Sequence, residues 1–227
     1  MSSSLLNLPE SRPTRTRVKV CGLTRVEDVH AAIAAGVDAV GFVFVPASKR
    51  ALMIETARPL FAAVSPFVQT VALFLDAPRE WVASVDQALA PDLLQFHGRE
   101  TGEYCRQFSR PYIKALGADV LEDDGLLSRT MADHATARGF LLDSHPSGEL
   151  GGTGQAFDWR RWPQGLQTRP LILAGGLTAA NVQPAIQTLA PYAVDVSSGV
   201  ESSAGIKSAE KIQEFIAKVN SIVPILD

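Results

Sequence analysis

The chain has 227 residues, 46% of them hydrophobic, and a formal net charge of −3; it is long enough to bury a sizeable core and is composed like an ordinary soluble globular protein. Lysine and arginine are scattered rather than gathered on one stretch, which leaves no electrostatic footprint for nucleic acid, and no apolar run approaches the ~20 residues that cross a bilayer. Two cysteines, Cys21 and Cys105, are too few for a disulfide scaffold, so both are expected as reduced thiols in a cytoplasm.

Residues 1–16 are rich in Ser, Pro and Arg with no secretory pattern. They are expected to form a disordered extension before a single domain spanning 17–227. From Arg17 onward, strand-like apolar runs alternate with helix-like segments. Strands are expected near 17–21, 38–45, 68–75, 92–96, 111–117, 139–143, 170–174 and 193–197. Helices are expected near 25–35, 54–64, 78–89, 100–109, 177–189 and 207–220. The segment 118–136, which carries Glu122-Asp123-Asp124-Gly125, reads as a weak helix at best or as loop, making the fifth connection irregular. The strands are near-continuous apolar runs, as in Ala39-Val40-Gly41-Phe42-Val43-Phe44, the pattern of a parallel sheet covered on both faces. Eight such units in ~210 residues fit a (β/α)₈ TIM barrel, with an open doubly wound sheet as the rival arrangement.

In such folds ligands bind at the carboxyl ends of strands. The first strand ends Val18-Lys19-Val20-Cys21-Gly22, and the sixth ends Gly139-Phe140-Leu141-Leu142-Asp143. A thiol and a carboxyl at equivalent strand ends suit a base and an acid. Cys105, mid-helix in Glu103-Tyr104-Cys105-Arg106, reads instead as packing. Residues two apart share a strand face, so Lys19 sits a layer below Cys21 inside a barrel, and a buried ammonium needs a partner. Asp195 or a nearby backbone carbonyl is expected to be that partner. The ammonium should favour the Cys21 thiolate, which at an ordinary pKa near 8.5 is a minor species at neutral pH.

Three glycine-bearing loops follow the last three strands: Gly151-Gly152-Thr153-Gly154, Ala174-Gly175-Gly176-Leu177-Thr178, and Asp195-Val196-Ser197-Ser198-Gly199-Val200-Glu201. Glycines at a helix start free backbone N–H groups to point at an anion, and barrels often hold phosphate between the loops after strands seven and eight. Gly152, Gly154, Gly175, Gly176, Ser197, Ser198 and Gly199 are therefore candidate contacts for a phosphorylated small molecule. The four histidines show no metal-ligand spacing and no metal site is expected. Only His97, in Leu94-Gln95-Phe96-His97-Gly98, closes a strand and is expected to line the pocket; His30 is on a helix, His134 in a polar stretch and His145 in a loop. Ser48-Lys49-Arg50 reads equally as a solvated basic loop or as an arginine fork for a substrate carboxylate.

These blocks together resemble the phosphoribosylanthranilate isomerases, collinearly from Arg17 to about Lys218. The resemblance rests on Lys19-Val20-Cys21-Gly22-Leu23-Thr24, Ser48-Lys49-Arg50, Gln95-Phe96-His97-Gly98, Leu141-Leu142-Asp143, Gly175-Gly176-Leu177 and Val194-Asp195-Val196-Ser197-Ser198-Gly199-Val200-Glu201. It implies a barrel of the ribulose-phosphate-binding type, in which Cys21 is the general base, Asp143 the general acid and Arg50 the anthranilate-carboxylate contact, with Asp195 in the substrate site. It also implies an Amadori rearrangement without cofactor, because the iminium intermediate is its own electron sink, in a monomer or homodimer. Asp143 must then carry a proton at neutral pH, so burial or a neighbouring anion is expected to raise its pKa. Val45, Ala47 and Ala51 depart from residues frequent in the family around the ring pocket. The related histidine-pathway isomerase carries an aspartate where Cys21 stands, which argues against that second reading. A barrel that binds phosphosugars without catalysis is disfavoured by the joint presence of Cys21, Asp143 and Arg50.

Overall fold

In the computed structural model, which describes residues 15–148, 158–163 and 169–222, eight parallel strands pair in sequence order and close on themselves. They are β1 (Arg17–Cys21), β2 (Ala39–Val43), β3 (Gln69–Phe74), β4 (Leu93–Phe96), β5 (Tyr112–Leu116), β6 (Gly139–Leu142), β7 (Leu171–Leu173) and β8 (Ala193–Val196). Closure is explicit in β1, which pairs with β2 on one side and with β8 on the other, placing Lys19 opposite Asp195. The rival open sheet is excluded.

The strand period of two sorts the sequence into two environments. Val18, Val20, Phe42, Phe74, Phe96 and Phe140 face outward into the layer between barrel and helices. Ile113, Ala115, Leu141, Ile172, Ala174 and Ala193 fill the barrel interior. Burying one such large apolar side chain is worth about 1.5–3 kcal/mol, so the outer layer carries most of the stabilisation. With both faces covered, the strands read as continuous apolar runs rather than alternating ones.

The outer layer is built from α1 (Val26–Ala34), α2 (Ile54–Ala62), α3 (Arg79–Leu89), α4 (Gly102–Cys105), α5 (Ala118–Leu121), α6 (Asp124–Asp133), α7 (Val182–Leu189) and α8 (Ala209–Asn220). Three stretches of this layer differ from the sequence expectation. The fourth helix is four residues rather than the ten expected over 100–109; Pro111 sits just before β5 and the chain leaves the helix through an i to i+3 bond, Phe108 N–H to the Cys105 carbonyl at 3.4 Å. Cys105 therefore ends a helix instead of lying within one. The acidic segment expected as a weak helix or loop is helical, because Asp123 caps α6 by accepting the Leu126 N–H at 2.9 Å. Carboxylates crowded at a helix start are favoured there by the dipole. Helix α7 begins at Val182, five residues after the expected Leu177. The gap is an Asn-closed turn in which Asn181 Oδ1 accepts the Thr178 N–H at 2.8 Å and Asn181 Nδ2 donates to the Gly176 carbonyl at 2.9 Å. Helix α8 starts at the expected place, capped by Ser208, which accepts the Lys211 N–H at 3.3 Å.

An antiparallel hairpin absent from the sequence reading, β9 (Glu201–Ser203) with β10 (Ile206–Lys207), sits between β8 and α8 and sets Glu201 opposite Lys207. Of the extension expected over 1–16, Arg15 and Thr16 fall within the described residues, and Arg15 Nη1 donates to Asp38 Oδ2 at 2.8 Å. No helix among the described residues is long and apolar enough to cross a membrane.

Candidate active site

The carboxyl ends of the strands converge on one pocket, which is lined by Cys21, Arg50, His97, Asp143 and Asp195 together with Gly175, Gly176, Ser197, Ser198 and Gly199. They arrive from the carboxyl ends of β1, β2, β4, β6, β7 and β8. Gly152 and Gly154 lie outside the described residues. The turns after β7 and β8 are pressed together: a Cβ on Gly199 would lie 1.9 Å from the Leu177 carbonyl oxygen, so only glycine lets the two backbones approach this closely. Gly175 and Gly176 both hold positive φ, and the turn they form ends in the Asn181 cap rather than opening directly into a long helix as the sequence suggested.

Lys19 and Asp195 meet inside the barrel just below Cys21, with Lys19 Nζ donating to Asp195 Oδ2 at 2.8 Å. Of the two partners expected, Asp195 or a backbone carbonyl, Lys19 takes Asp195. Burial opposes the charge on Lys19, but Asp195 and the neighbouring thiol outweigh it, and the ammonium stays above its ordinary pKa. Asp195 Oδ1 is buried without a hydrogen-bond partner.

The pKa shifts of Cys21 and Asp143 run opposite to the directions expected from the sequence. Burial pushes the Cys21 thiol up, and the opposing pull of the Lys19 ammonium does not overcome it. The expectation that Lys19 leaves Cys21 a favoured thiolate is therefore corrected, because Cys21 is as deeply desolvated as its ammonium neighbour. Asp143 moves the other way. Burial raises its pKa, but hydrogen bonds from His145 and His97 dominate and hold the carboxyl well below the usual carboxylate range. His145 Nδ1 lies 2.8 Å from Oδ1 and His97 Nε2 lies 3.2 Å from Oδ2, and the His145 backbone N–H donates to Oδ1 at 3.2 Å. Burial does oppose the charge here, but in place of the expected anion the neighbours in contact are N–H donors, which stabilise the charged form. His97 is itself oriented by Gln95, whose Nε2 donates to its Nδ1 at 3.0 Å, leaving the ring proton on Nε2 toward Asp143.

His145 is thus a site residue that the sequence reading left in a loop without a role. Its only signal was the spacing Asp143-Ser144-His145, two residues after a strand end. His134, assigned to a polar stretch, is buried against Tyr112, and burial pushes its pKa down to about 4. Cys105 is fully buried, and burial pushes its thiol up to about 12, as befits a packing residue.

Arg50 is not in a solvated loop. Its side chain is 11% exposed, and its fork grips Glu201 through Nε to Oε1 at 2.6 Å and Nη2 to Oε2 at 2.8 Å. Lys207 Nζ donates to Glu201 Oε1 at 2.9 Å and to the Ser197 carbonyl at 3.0 Å. Neither Glu201 nor Lys207 was singled out from the sequence.

Residues 18–218 match the family model described as N-(5'phosphoribosyl)anthranilate (PRA) isomerase. The N-(5'-phosphoribosyl)anthranilate isomerase of Pseudomonas fluorescens is 52% identical over 203 residues, covering 89% of this chain and 98% of that protein. The enzyme of the same name from Thiobacillus denitrificans is 51% identical over 205 residues, covering 90% and 98%. Among solved structures, the phosphoribosyl anthranilate isomerase of Thermotoga maritima superposes with a TM-score of 0.81 at 37% identity, covering 91% of this chain and all of that one. A phosphoribosyl anthranilate isomerase crystallised with reduced 1-(o-carboxyphenylamino)-1-deoxyribulose 5-phosphate gives 0.76 at 34% identity, over 91% of this chain and 100% of that one. A family model matched over residues 18–218 and relatives about half identical over nine-tenths of the chain show that the chain belongs to the N-(5'-phosphoribosyl)anthranilate isomerase family.

Proposed function

We propose that this chain carries out the Amadori rearrangement of N-(5-phosphoribosyl)anthranilate to 1-(2-carboxyphenylamino)-1-deoxyribulose 5-phosphate in tryptophan biosynthesis, with Cys21 as base and Asp143 as acid. Family membership assigns the reaction. The roles rest on one observation: the thiol and the carboxyl come from separate strand ends, β1 and β6, and line the same pocket as the glycine turns.

The steps follow from these residues. The phosphate is held by backbone N–H groups of the Gly175-Gly176 and Ser198-Gly199 turns, and Arg50 meets the anthranilate carboxylate, so the ribose is fixed between base and acid. Asp143 gives its proton to the furanose ring oxygen, and the C1–O bond breaks to leave an iminium. Cys21 takes the proton from C2, and the electron pair released forms the enolamine, which tautomerises to the ketone. No cofactor enters this scheme. The donors on Asp143 stabilise the carboxylate left after transfer, which makes the protonated form a stronger acid toward a weakly basic ether oxygen. Burial makes the Cys21 thiolate a stronger base toward carbon. Both shifts reduce the population of the reactive protonation state while increasing its reactivity, so activity is confined between two limbs in pH.

The substrate class is a small phosphosugar, and neither nucleic acid nor membrane is involved. A cytoplasmic location suits the free thiols, and a monomer or homodimer suits relatives solved as dimers and as monomers generated from them. The assay is loss of the fluorescence of freshly formed phosphoribosylanthranilate on adding purified protein. Failure to consume it at any pH between the limbs would refute the reading.

A further inference from the structure

The reading of Arg50 as the carboxylate contact leaves Glu201 unexplained, since a carboxylate already occupies that fork. We infer that Glu201 is a positioning residue that holds the Arg50 guanidinium by one edge so that another edge is presented to the substrate carboxylate. This rests on the role proposed for Arg50 above.

A guanidinium carries five N–H donors around a planar fork. Glu201 takes the Nε–Nη2 edge in a bidentate contact, and Nη1 has no hydrogen-bond partner among the described residues. A second carboxylate therefore still has a donor edge to meet. The arginine stem is fixed as well: it crosses Gly22, where a Cβ would lie 2.3 Å from Arg50 Cδ, so that crossing is open only over glycine.

Glu201 is itself held on several sides. Lys207 donates to its Oε1 at 2.9 Å from across the β9–β10 hairpin, and Lys211 Nζ donates to its backbone carbonyl at 2.7 Å. Lys207 spends its other donors on Ser197, to the carbonyl at 3.0 Å and to Oγ at 3.3 Å, so the network runs from the fork to the turn proposed for phosphate. The charges also sum usefully. Arg50 and Lys207 against Glu201 leave one net positive charge, enough to welcome an anion without two cations repelling each other unscreened in a buried site.

This role predicts a sign opposite to that of simple electrostatics. Removing the Glu201 charge leaves the site more cationic, which by charge alone should tighten binding of a phosphorylated carboxylate. Loss of positioning should weaken it. The test is Glu201→Gln, with KM for phosphoribosylanthranilate and kcat measured alone and in an Arg50→Ala background. KM should rise roughly tenfold to a hundredfold, the scale of a charge-assisted hydrogen bond, with a much smaller change in kcat. In the Arg50→Ala background the same substitution should change KM less than ~2-fold, because a residue acting through Arg50 has nothing left to act on. Inhibition by inorganic phosphate should be retained. An unchanged or lowered KM, or an equal rise in both backgrounds, overturns the inference. An unchanged KM in Arg50→Ala alone overturns the Arg50 reading as well, so the two failures are told apart.

A measurement on the unsubstituted protein does not depend on that variant folding. In ¹⁵N-arginine spectra, the Arg50 Nε–H signal, assigned by its loss in Arg50→Lys, should exchange slowly with solvent and persist when a reduced product analogue binds. Exchange as fast as that of an exposed arginine, or loss of the signal on binding, overturns it.

Discussion

Gly41→Ala tests the role of Cys21 without touching the thiol. Gly41 pairs directly with Cys21 across β1 and β2. A Cβ built on Gly41 lies 2.7 Å from Cys21 Sγ, 3.1 Å from Cys21 Cα and 3.1 Å from Lys19 Cε. Ordinary heavy-atom contacts lie near ~3.5–4.0 Å, so the sulfur must retreat by about 1 Å. Gly41 lies in regular strand without positive φ, so alanine suits its own dihedrals, and the conflict falls chiefly on the thiol, with tighter contacts to the Cys21 Cα and the lysine stem. A displacement of this size at a reacting atom costs about 10²-fold in rate. Initial rates from the substrate fluorescence, with circular dichroism to show an intact barrel, give the answer. The Gly41→Ala kcat should fall about a hundredfold. A folded Gly41→Ala enzyme within about threefold of the parent rate would show that the Sγ position does not matter to catalysis.

Arg50→Ala should raise KM by the equivalent of about 1.5–3 kcal/mol while kcat changes less, because the carboxylate is remote from C2; an unchanged KM removes Arg50 from the site. His145→Ala takes the imidazole donor from Asp143, whose depressed pKa should rise toward its ordinary value. Because Asp143 titrates below Cys21, the acid limb of kcat/KM should then move to higher pH; a limb that stays in place refutes the coupling. Lys19→Met strands the Asp195 carboxylate inside the barrel and should cost about 3–5 kcal/mol in urea unfolding, with the added Asp195→Asn change restoring part of it. Equal stability of Lys19→Met and the parent would mean the pair is not buried as described.

What the sequence made legible was whatever the strand period controls. Cys21, Lys19 and Asp195 share one face because they stand at odd positions of two adjacent strands, so their meeting followed from counting by two. Asp143 and His97 were found in the same way, as the residues that close strands. The partners were harder to see because they act from segments with no period. Glu201 reaches Arg50 across 151 positions from a three-residue strand, and the hairpin that delivers it has no apolar pattern to announce it. His145 lies in the connection after β6, where side-chain direction is set by packing rather than by repeat. The protonation states went astray for the same reason. The sequence identifies a buried carboxyl, but the direction of its shift depends on whether burial or donors win, and here His145 and His97 win. At the fifth connection, Asp123 was visible as a residue in an acidic run but not as the cap that turns that run into a helix start.

The most direct measurement on the central claim is turnover of phosphoribosylanthranilate by Cys21→Ala, beside Cys105→Ala as the control thiol. Proton transfer by a positioned side chain contributes ~10²–10⁴-fold, so the Cys21→Ala rate should fall at least that far while phosphate binding and the fold persist. Cys105→Ala should retain nearly full activity. A Cys21→Ala enzyme turning over at near the parent rate would contradict the assignment of the thiol as the base that takes the C2 proton.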